Sequence, residues 1–117
     1  MIHQGEVYWI PLEPPGGSEP GHLRPGVILQ NDVANQSRIQ TVIVCLLTSN
    51  LRRATAPGNV LLERGEAGLD RPSVANVSQI FTIDKDYLGA RIGRLSSRRV
   101  EQILLGVFSF LTPRGQP

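Results

Sequence analysis

Only one stretch of this chain carries a helical period, and it comes last. Val100, Ile103, Leu104, Val107, Phe108 and Leu111 fall at i, i+3, i+4, i+7, i+8 and i+11, which draws one apolar stripe along an amphipathic helix. All six positions can pack on whatever lies beneath. Ser96 or Ser97 can cap its N-terminus. Pro113 ends it, and residues 113–117 read as a frayed tail. Everything ahead of this helix reads as short β-forming runs divided by glycine and proline. A series of short strands closed by one terminal helix leaves few architectures open. The expectation is a mainly β fold, a small, strongly bent sheet or barrel with the helix packed on one side.

The strands follow from composition and period. Gly5–Leu12 (GEVYWIPL) is rich in β-formers, and Pro11 suggests an edge or an early exit. Glu13–Leu23 holds three prolines and three glycines in eleven residues, so it is read as a loop, and long loops in compact domains are often functional. Val27–Gln30 reads as a strand ending at Asn31-Asp32. Gln40–Leu47 (QTVIVCLL) is near-continuously apolar and β-branched, as a strand buried on both faces would be. Thr48–Gly58 is a second polar loop. Asn59–Glu63 is a short strand, and Arg64–Gly68 a turn. Pro72–Ile83 is another strand, with Asn76 and Ser78 interrupting it. Asp84–Leu88 is a brief helical turn, and Ala90–Leu95 a half-exposed strand. No repeat or linker divides the 117 residues, which are read as one domain, residues 1–117.

Several chemistries lack their residues. There is no HExxH, no GxxxxGK[ST] and no GxSxG, and the two histidines, His3 and His22, stand apart. The carboxylates form no metal-ligand pattern, so an enzyme built on this chain is expected to need no metal and no cofactor. The single cysteine, Cys45, lies inside an apolar run and reads as a buried small hydrophobe. No run approaches the roughly 18 apolar residues of a membrane span, and Met1–Glu6 does not resemble a signal peptide. The chain is therefore expected to be cytoplasmic, with no membrane partner.

The polar residues gather where apolar strands end. Ser18-Glu19 lies in the proline-rich loop, Arg24-Pro25 opens the second strand and Gln30-Asn31-Asp32 closes it. Thr48-Ser49-Asn50 follows the most apolar strand, and Gln79 lies late in the strand from Pro72. Strand ends deliver side chains to the rim of a rigid scaffold. Eleven of the twelve basic residues are arginines, whose planar fork suits phosphate, and Arg52-Arg53 forms a paired cluster in one loop.

The segments GEVYWIPL, GSE, RPGVILQND, VCLLTSN, NVSQI and SSRRVEQIL resemble, in order and from about Gly5 to Leu111, the MazF/PemK (Kid) toxins of type II toxin–antitoxin modules. That resemblance implies an SH3-like small barrel with a C-terminal helix, a homodimer, and cleavage of single-stranded RNA, mRNA included. It implies catalytic roles for Arg24 and Thr48, and carries the family's loop glutamate onto Glu19 and its strand-end glutamine onto Gln79. Some relatives have an arginine and an aspartate just before that glutamine. This chain has Asn76 and Ser78 there, which shifts the burden to Arg24 and Thr48. The resemblance also implies a MazE-like antitoxin as partner.

Metal-free RNA cleavage has the 2′-OH attack the adjacent phosphorus while the 5′-oxygen leaves, giving a 2′,3′-cyclic phosphate and a 5′-OH. It needs a proton acceptor, charge stabilisation and a proton donor. Arg24 suits the second task, because a guanidinium can hold two non-bridging oxygens. Thr48 can hydrogen-bond phosphate or the 2′-OH, and Glu19 or His22 could take the proton. RNA contacts are expected from Ser18, His22, Asn31, Ser49, Asn50, Arg52, Arg53, Asn76, Ser78 and Gln79. Gln79 could read a base edge or order the site. Aromatic residues are only 5% of the chain, so binding should lean on arginine–phosphate contacts and fall with salt; Trp9, Tyr8 and Tyr87 are the few candidates for base stacking, and Trp9, in a strand, reads more readily as core. One alternative on the same fold is a CcdB-type toxin that traps gyrase. Those rely on a C-terminal tryptophan, whereas here the only tryptophan is Trp9. A second is a nucleic-acid-binding barrel without activity.

Overall fold

The computed structural model describes residues 1–12 and 22–115. These form strands β1 (Glu6–Leu12), β2 (His22–Ile28), β3 (Thr41–Thr48), β4 (Val60–Leu62), β5 (Ser73–Asp84) and β6 (Arg91–Arg94), with a short helix α1 (Asp32–Asn35) and a terminal helix α2 (Ser97–Leu111). One-turn 3-10 helices occupy Leu51–Thr55, Glu66–Gly68 and Lys85–Tyr87.

The strands pair antiparallel in one sheet of order β4-β5-β3-β2-β1-β6. The sheet curls, and the Glu66–Gly68 turn after β4 comes against β6. Gly93 packs so closely on the Ala67 carbonyl that a Cβ there would overlap it. The result is a half-barrel whose far edges meet through a turn. Pro11 lies beyond the part of β1 that β6 covers, since the β1–β6 ladder ends at Tyr8. It therefore sits at a free edge, where a missing N–H costs no ladder bond.

β3 is the centre of the fold. Val42, Val44 and Leu46 enter one apolar cluster with Ile10 and Ile28. Cys45 and Leu47 enter the other, with Val7, Val27, Val77, Ile103 and Val107. From Val44 to Leu47 the strand is buried on both faces and has no room for alternating polar residues, which is why it reads as a continuous apolar run, although Ile43 is 40% exposed.

Helix α2 is capped by the Ser96 hydroxyl, which accepts from Arg99 N at 3.2 Å. Ile103 and Val107 are buried, but the expectation that the whole stripe packs inward fails at its end. Phe108 is 56% and Leu111 70% exposed. The helix is held over the sheet by its first half and middle. Arg99 grips Glu66 through two bonds of 2.8 and 2.9 Å, and Gly106 lies against the Gly58 carbonyl, where a Cβ would not fit. β2 also begins earlier than expected. His22 and Leu23 are strand residues opposite Leu12 and Pro11, because β1 supplies a partner that overrides the local loop composition. Asn31-Asp32 opens a helix, with the Asn31 side chain accepting from Ala34 N at 2.9 Å.

Candidate active site

The β2–β3 ladder has its last paired rung at Gly26–Leu46. The same register carried two residues further sets Arg24 opposite Thr48. Pro25, between, has no N–H to give a ladder, and the strand ends separate into a cavity of about 540 Å³. Arg24, Thr48 and Ser49 line it, with Trp9, Asp70 and Arg71.

A bulge in β5 stands behind Arg24, outside the cavity lining. Between the Cys45–Ile80 and Leu47–Ala75 rungs, four residues of β5, Asn76–Gln79, face the single residue Leu46 of β3. Bulges of this kind break strand alternation and re-aim side chains. Here Asn76, Ser78 and Gln79 form one hydrogen-bonded group. Arg24 Nη2 donates to Leu47 O at 3.1 Å and to Gln79 Oε1 at 3.2 Å. Both Nη2 protons are thus held by the protein. The two bidentate faces of a guanidinium each need Nη2, so Arg24 as it stands offers a ligand only Nη1 and Nε. This modifies the expectation of a two-oxygen fork.

Burial draws the Arg24 guanidinium below the ordinary arginine value, but an arginine stays charged at neutral pH. Burial, opposed by the nearby Arg24 charge, pushes the Cys45 thiol up to about 12. It is therefore an uncharged thiol that takes no part in acid–base chemistry. The Thr48 hydroxyl oxygen accepts from Asn50 N at 3.2 Å, which leaves its proton to donate outward. Asn50 in turn caps the Leu51–Thr55 turn by accepting from Arg52 N at 3.2 Å. Arg52 and Arg53 are exposed on that turn, and it stands against the bulge through Asn59, which donates to Arg53 O at 2.9 Å.

Of the residues singled out by sequence, Arg24, Thr48 and Ser49 line the cavity, and Gln79, Asn76 and Ser78 adjoin it through Arg24. His22 is exposed two residues from Arg24 and is not among the lining residues. Asn31 lies elsewhere. It follows the opposite end of β2, seven residues from Arg24 or roughly 20 Å at strand rise, and its side chain is committed to capping α1. Ser18 and Glu19 lie outside the described residues. Trp9, expected in the core, is 37% exposed and lines the cavity. Asp70, Arg71 and Asn59 were missed. Asn59 stands immediately ahead of β4, and Asp70 and Arg71 within three residues of β5, so the rim argument extended to those strands would have found them. Among the described residues no three His, Cys, Asp or Glu side chains come together as a metal site, and no helix is long and apolar enough to cross a membrane.

A half-barrel of antiparallel strands with a C-terminal helix is a fold found among solved bacterial toxins. The chain shares its fold with an endoribonuclease solved in complex with its cognate antitoxin from a mycobacterial species (TM-score 0.75, 23% identity, 98% of this chain and 100% of that one). It also shares it with a MazE–MazF structure from Deinococcus radiodurans (TM-score 0.76, 17% identity, 97% of both). In sequence it is 39% identical over 107 residues to endoribonuclease MazF6 of Mycobacterium tuberculosis, covering 92% of this chain and 94% of that one. It is 38% identical over 103 residues to endoribonuclease MazF of Staphylococcus saprophyticus, covering 88% and 85%. Residues 3–111 match the PemK-like, MazF-like toxins of type II toxin–antitoxin systems, and the chain belongs to that family.

Proposed function

We propose that the chain is a sequence-selective endoribonuclease toxin that cuts single-stranded RNA, mRNA included, without a metal. It acts in the cytoplasm as a homodimer and is held inactive by a cognate MazE-like antitoxin. The observation that supports this reading is that Arg24 and Thr48 both line one cavity, in a chain whose family relatives are named endoribonucleases.

The ribose 2′-oxygen attacks phosphorus, the P–O5′ bond breaks, and the products are a 2′,3′-cyclic phosphate and a 5′-OH. Arg24, through Nη1 or Nε, and the Thr48 hydroxyl donate to the non-bridging oxygens as charge builds on them. The 2′ proton goes to a carboxylate. Glu19, the position that matches the family's loop glutamate, is one candidate, and Asp70 is the carboxylate that lines the cavity among the described residues. The departing 5′-oxygen takes a proton back from the same pool. Comparing Glu19→Gln with Asp70→Asn separates the two acids. Arg52, Arg53 and Arg71 hold flanking phosphates, so binding weakens as salt rises.

The test is incubation of a long, unstructured RNA with wild type and Arg24→Ala in EDTA. Sequence-selective cuts with 5′-OH ends, lost in the variant, support the reading. A folded, antitoxin-free protein that leaves RNA intact sinks it, and would favour a gyrase-binding or purely RNA-binding role.

A further inference from the structure

We infer that Asn59 is a positioning residue, the origin of a relay of side-chain amides that fixes the polarity of the site and turns Gln79 into a donor toward RNA. The inference rests on the proposed ribonuclease reading and assigns a residue that reading does not use.

Side-chain amides can be turned end for end, but this chain of four residues is pinned at both ends by groups of fixed polarity. At one end the Val77 backbone N–H donates to Asn59 Oδ1 at 3.0 Å. That fixes Asn59 Nδ2 on the other side, where it donates to Arg53 O at 2.9 Å and to Asn76 Oδ1 at 3.3 Å. Asn76 must then present Nδ2 to Gln79, and it donates to Gln79 Oε1 at 3.1 Å. At the other end stands Arg24, a donor only, which also requires Oε1 at that place, 3.2 Å away. Both ends therefore demand the same arrangement. Ser78, whose hydroxyl can rotate, donates to Asn76 Oδ1 at 3.1 Å and agrees with it.

Two consequences follow. Gln79 Oε1 is saturated by Asn76 and Arg24, so Gln79 meets RNA with Nε2 alone. It asks for an acceptor, such as a phosphate oxygen, a base carbonyl or a ring nitrogen, and has nothing to offer an exocyclic amine. Second, with both Nη2 protons of Arg24 held, Gln79 Nε2 replaces the missing arm of the guanidinium fork. Gln79 Nε2 then joins Arg24 and the Thr48 hydroxyl as a third donor to the two non-bridging oxygens. Asn59 touches no RNA in this scheme. Its place is held by the Gly58 turn, seated on Gly106 of α2.

Asn59→Asp tests this at constant shape. The carboxylate still accepts from Val77 N, but sets an acceptor against Asn76 Oδ1 and against Arg53 O, so a shift of the Arg52–Arg53 turn that does not pass through Gln79 is separated from the relay by the Gln79→Ala background. To avoid the clash Asn76 must turn, then Gln79, until an amide nitrogen faces Arg24. With RNA as substrate, kcat should fall by about tenfold or more with KM within about threefold, and the loss should vanish in a Gln79→Ala background. A loss that persists undiminished there would mean that the introduced carboxylate acts by its charge, and would overturn the relay. The second readout needs no activity. In 15N-labelled, unliganded protein the Gln79 side-chain amide and Arg24 Nε–H signals should move in Asn59→Asp. Unmoved signals in a folded variant overturn the inference whether or not the wild type cuts RNA. Asn76→Asp, which clashes directly with Gln79 Oε1, serves in both measurements if Asn59→Asp does not fold, with the same outcomes. If the wild type leaves RNA intact, the ribonuclease reading fails and the relay is judged by the spectra alone.

Discussion

Arg24 and Gln79 are 55 positions apart in the chain, yet Arg24 Nη2 donates to Gln79 Oε1 at 3.2 Å while donating also to Leu47 O. The arginine is aimed by a planar group making two bonds from one nitrogen. A lysine at this position has a single ammonium that cannot hold both acceptors and still face a phosphate in a fixed plane. Arg24→Lys should therefore lower RNA cleavage by about a hundredfold while leaving the melting temperature nearly unchanged. Steady-state rates on an oligonucleotide check this, and full activity in the lysine variant would mean that charge alone is needed.

Thr48 gives a sharper comparison, because its oxygen accepts from Asn50 N and its hydroxyl proton has no partner among the described residues. What it offers substrate is a proton. Thr48→Val keeps the β-branched shape and removes that proton, so cleavage should drop about ten- to a hundredfold, the range for a hydrogen bond to a charged group. Thr48→Ser should stay within a few-fold of wild type. Equal activity in Thr48→Val would remove Thr48 from the reaction.

Acid stability should report on Glu6, whose side chain is 6% exposed. Burial raises its pKa, but Arg91 Nε, the His3 N–H and the Tyr8 hydroxyl together hold it below the ordinary glutamate value. A carboxyl depressed in the folded state stabilises the fold above its unfolded pKa, and that stabilisation is lost as pH falls through the folded value. Wild type should lose melting temperature between about pH 5 and pH 3 more steeply than Glu6→Gln. At pH 7 the variant should be less stable by about 1–2 kcal/mol. Parallel curves for the two proteins would show that Glu6 is not the group responsible.

Gly106 is the seat of the Gly58 turn. Gly106→Ala places a methyl group against the Gly58 carbonyl and should cost about 1–3 kcal/mol in denaturant unfolding. Leu105→Ala, one residue away and 60% exposed, should cost no more than about 0.5 kcal/mol. If the two variants unfold alike, the close approach is not a constraint.

The elements were legible wherever burial repeats with a clear period. β3 and α2 stand where the apolar run and stripe place them, and Thr48 ends β3 as read, whereas Arg24 lies inside β2, third from its start. What escaped depended on pairing. His22 and Leu23 read as loop because β1 opposite them is invisible locally. Asn31 read as site because a cap and a binding residue use the same side chains. The bulge at Asn76–Gln79 is a mismatch between two strands, so neither strand alone can reveal it. Asn59 gains its meaning only from Val77, Arg53 and Asn76 together.

The site draws its parts from four distant stretches of chain. Arg24 meets Leu47 across 23 positions, Gln79 across 55, and Asn59 meets Asn76 across 17. Each of these closures costs chain entropy before any contact rewards it. A half-folded chain accordingly carries every residue of the site without its geometry. Whatever this protein does to a cell, it begins only when the last loop has closed.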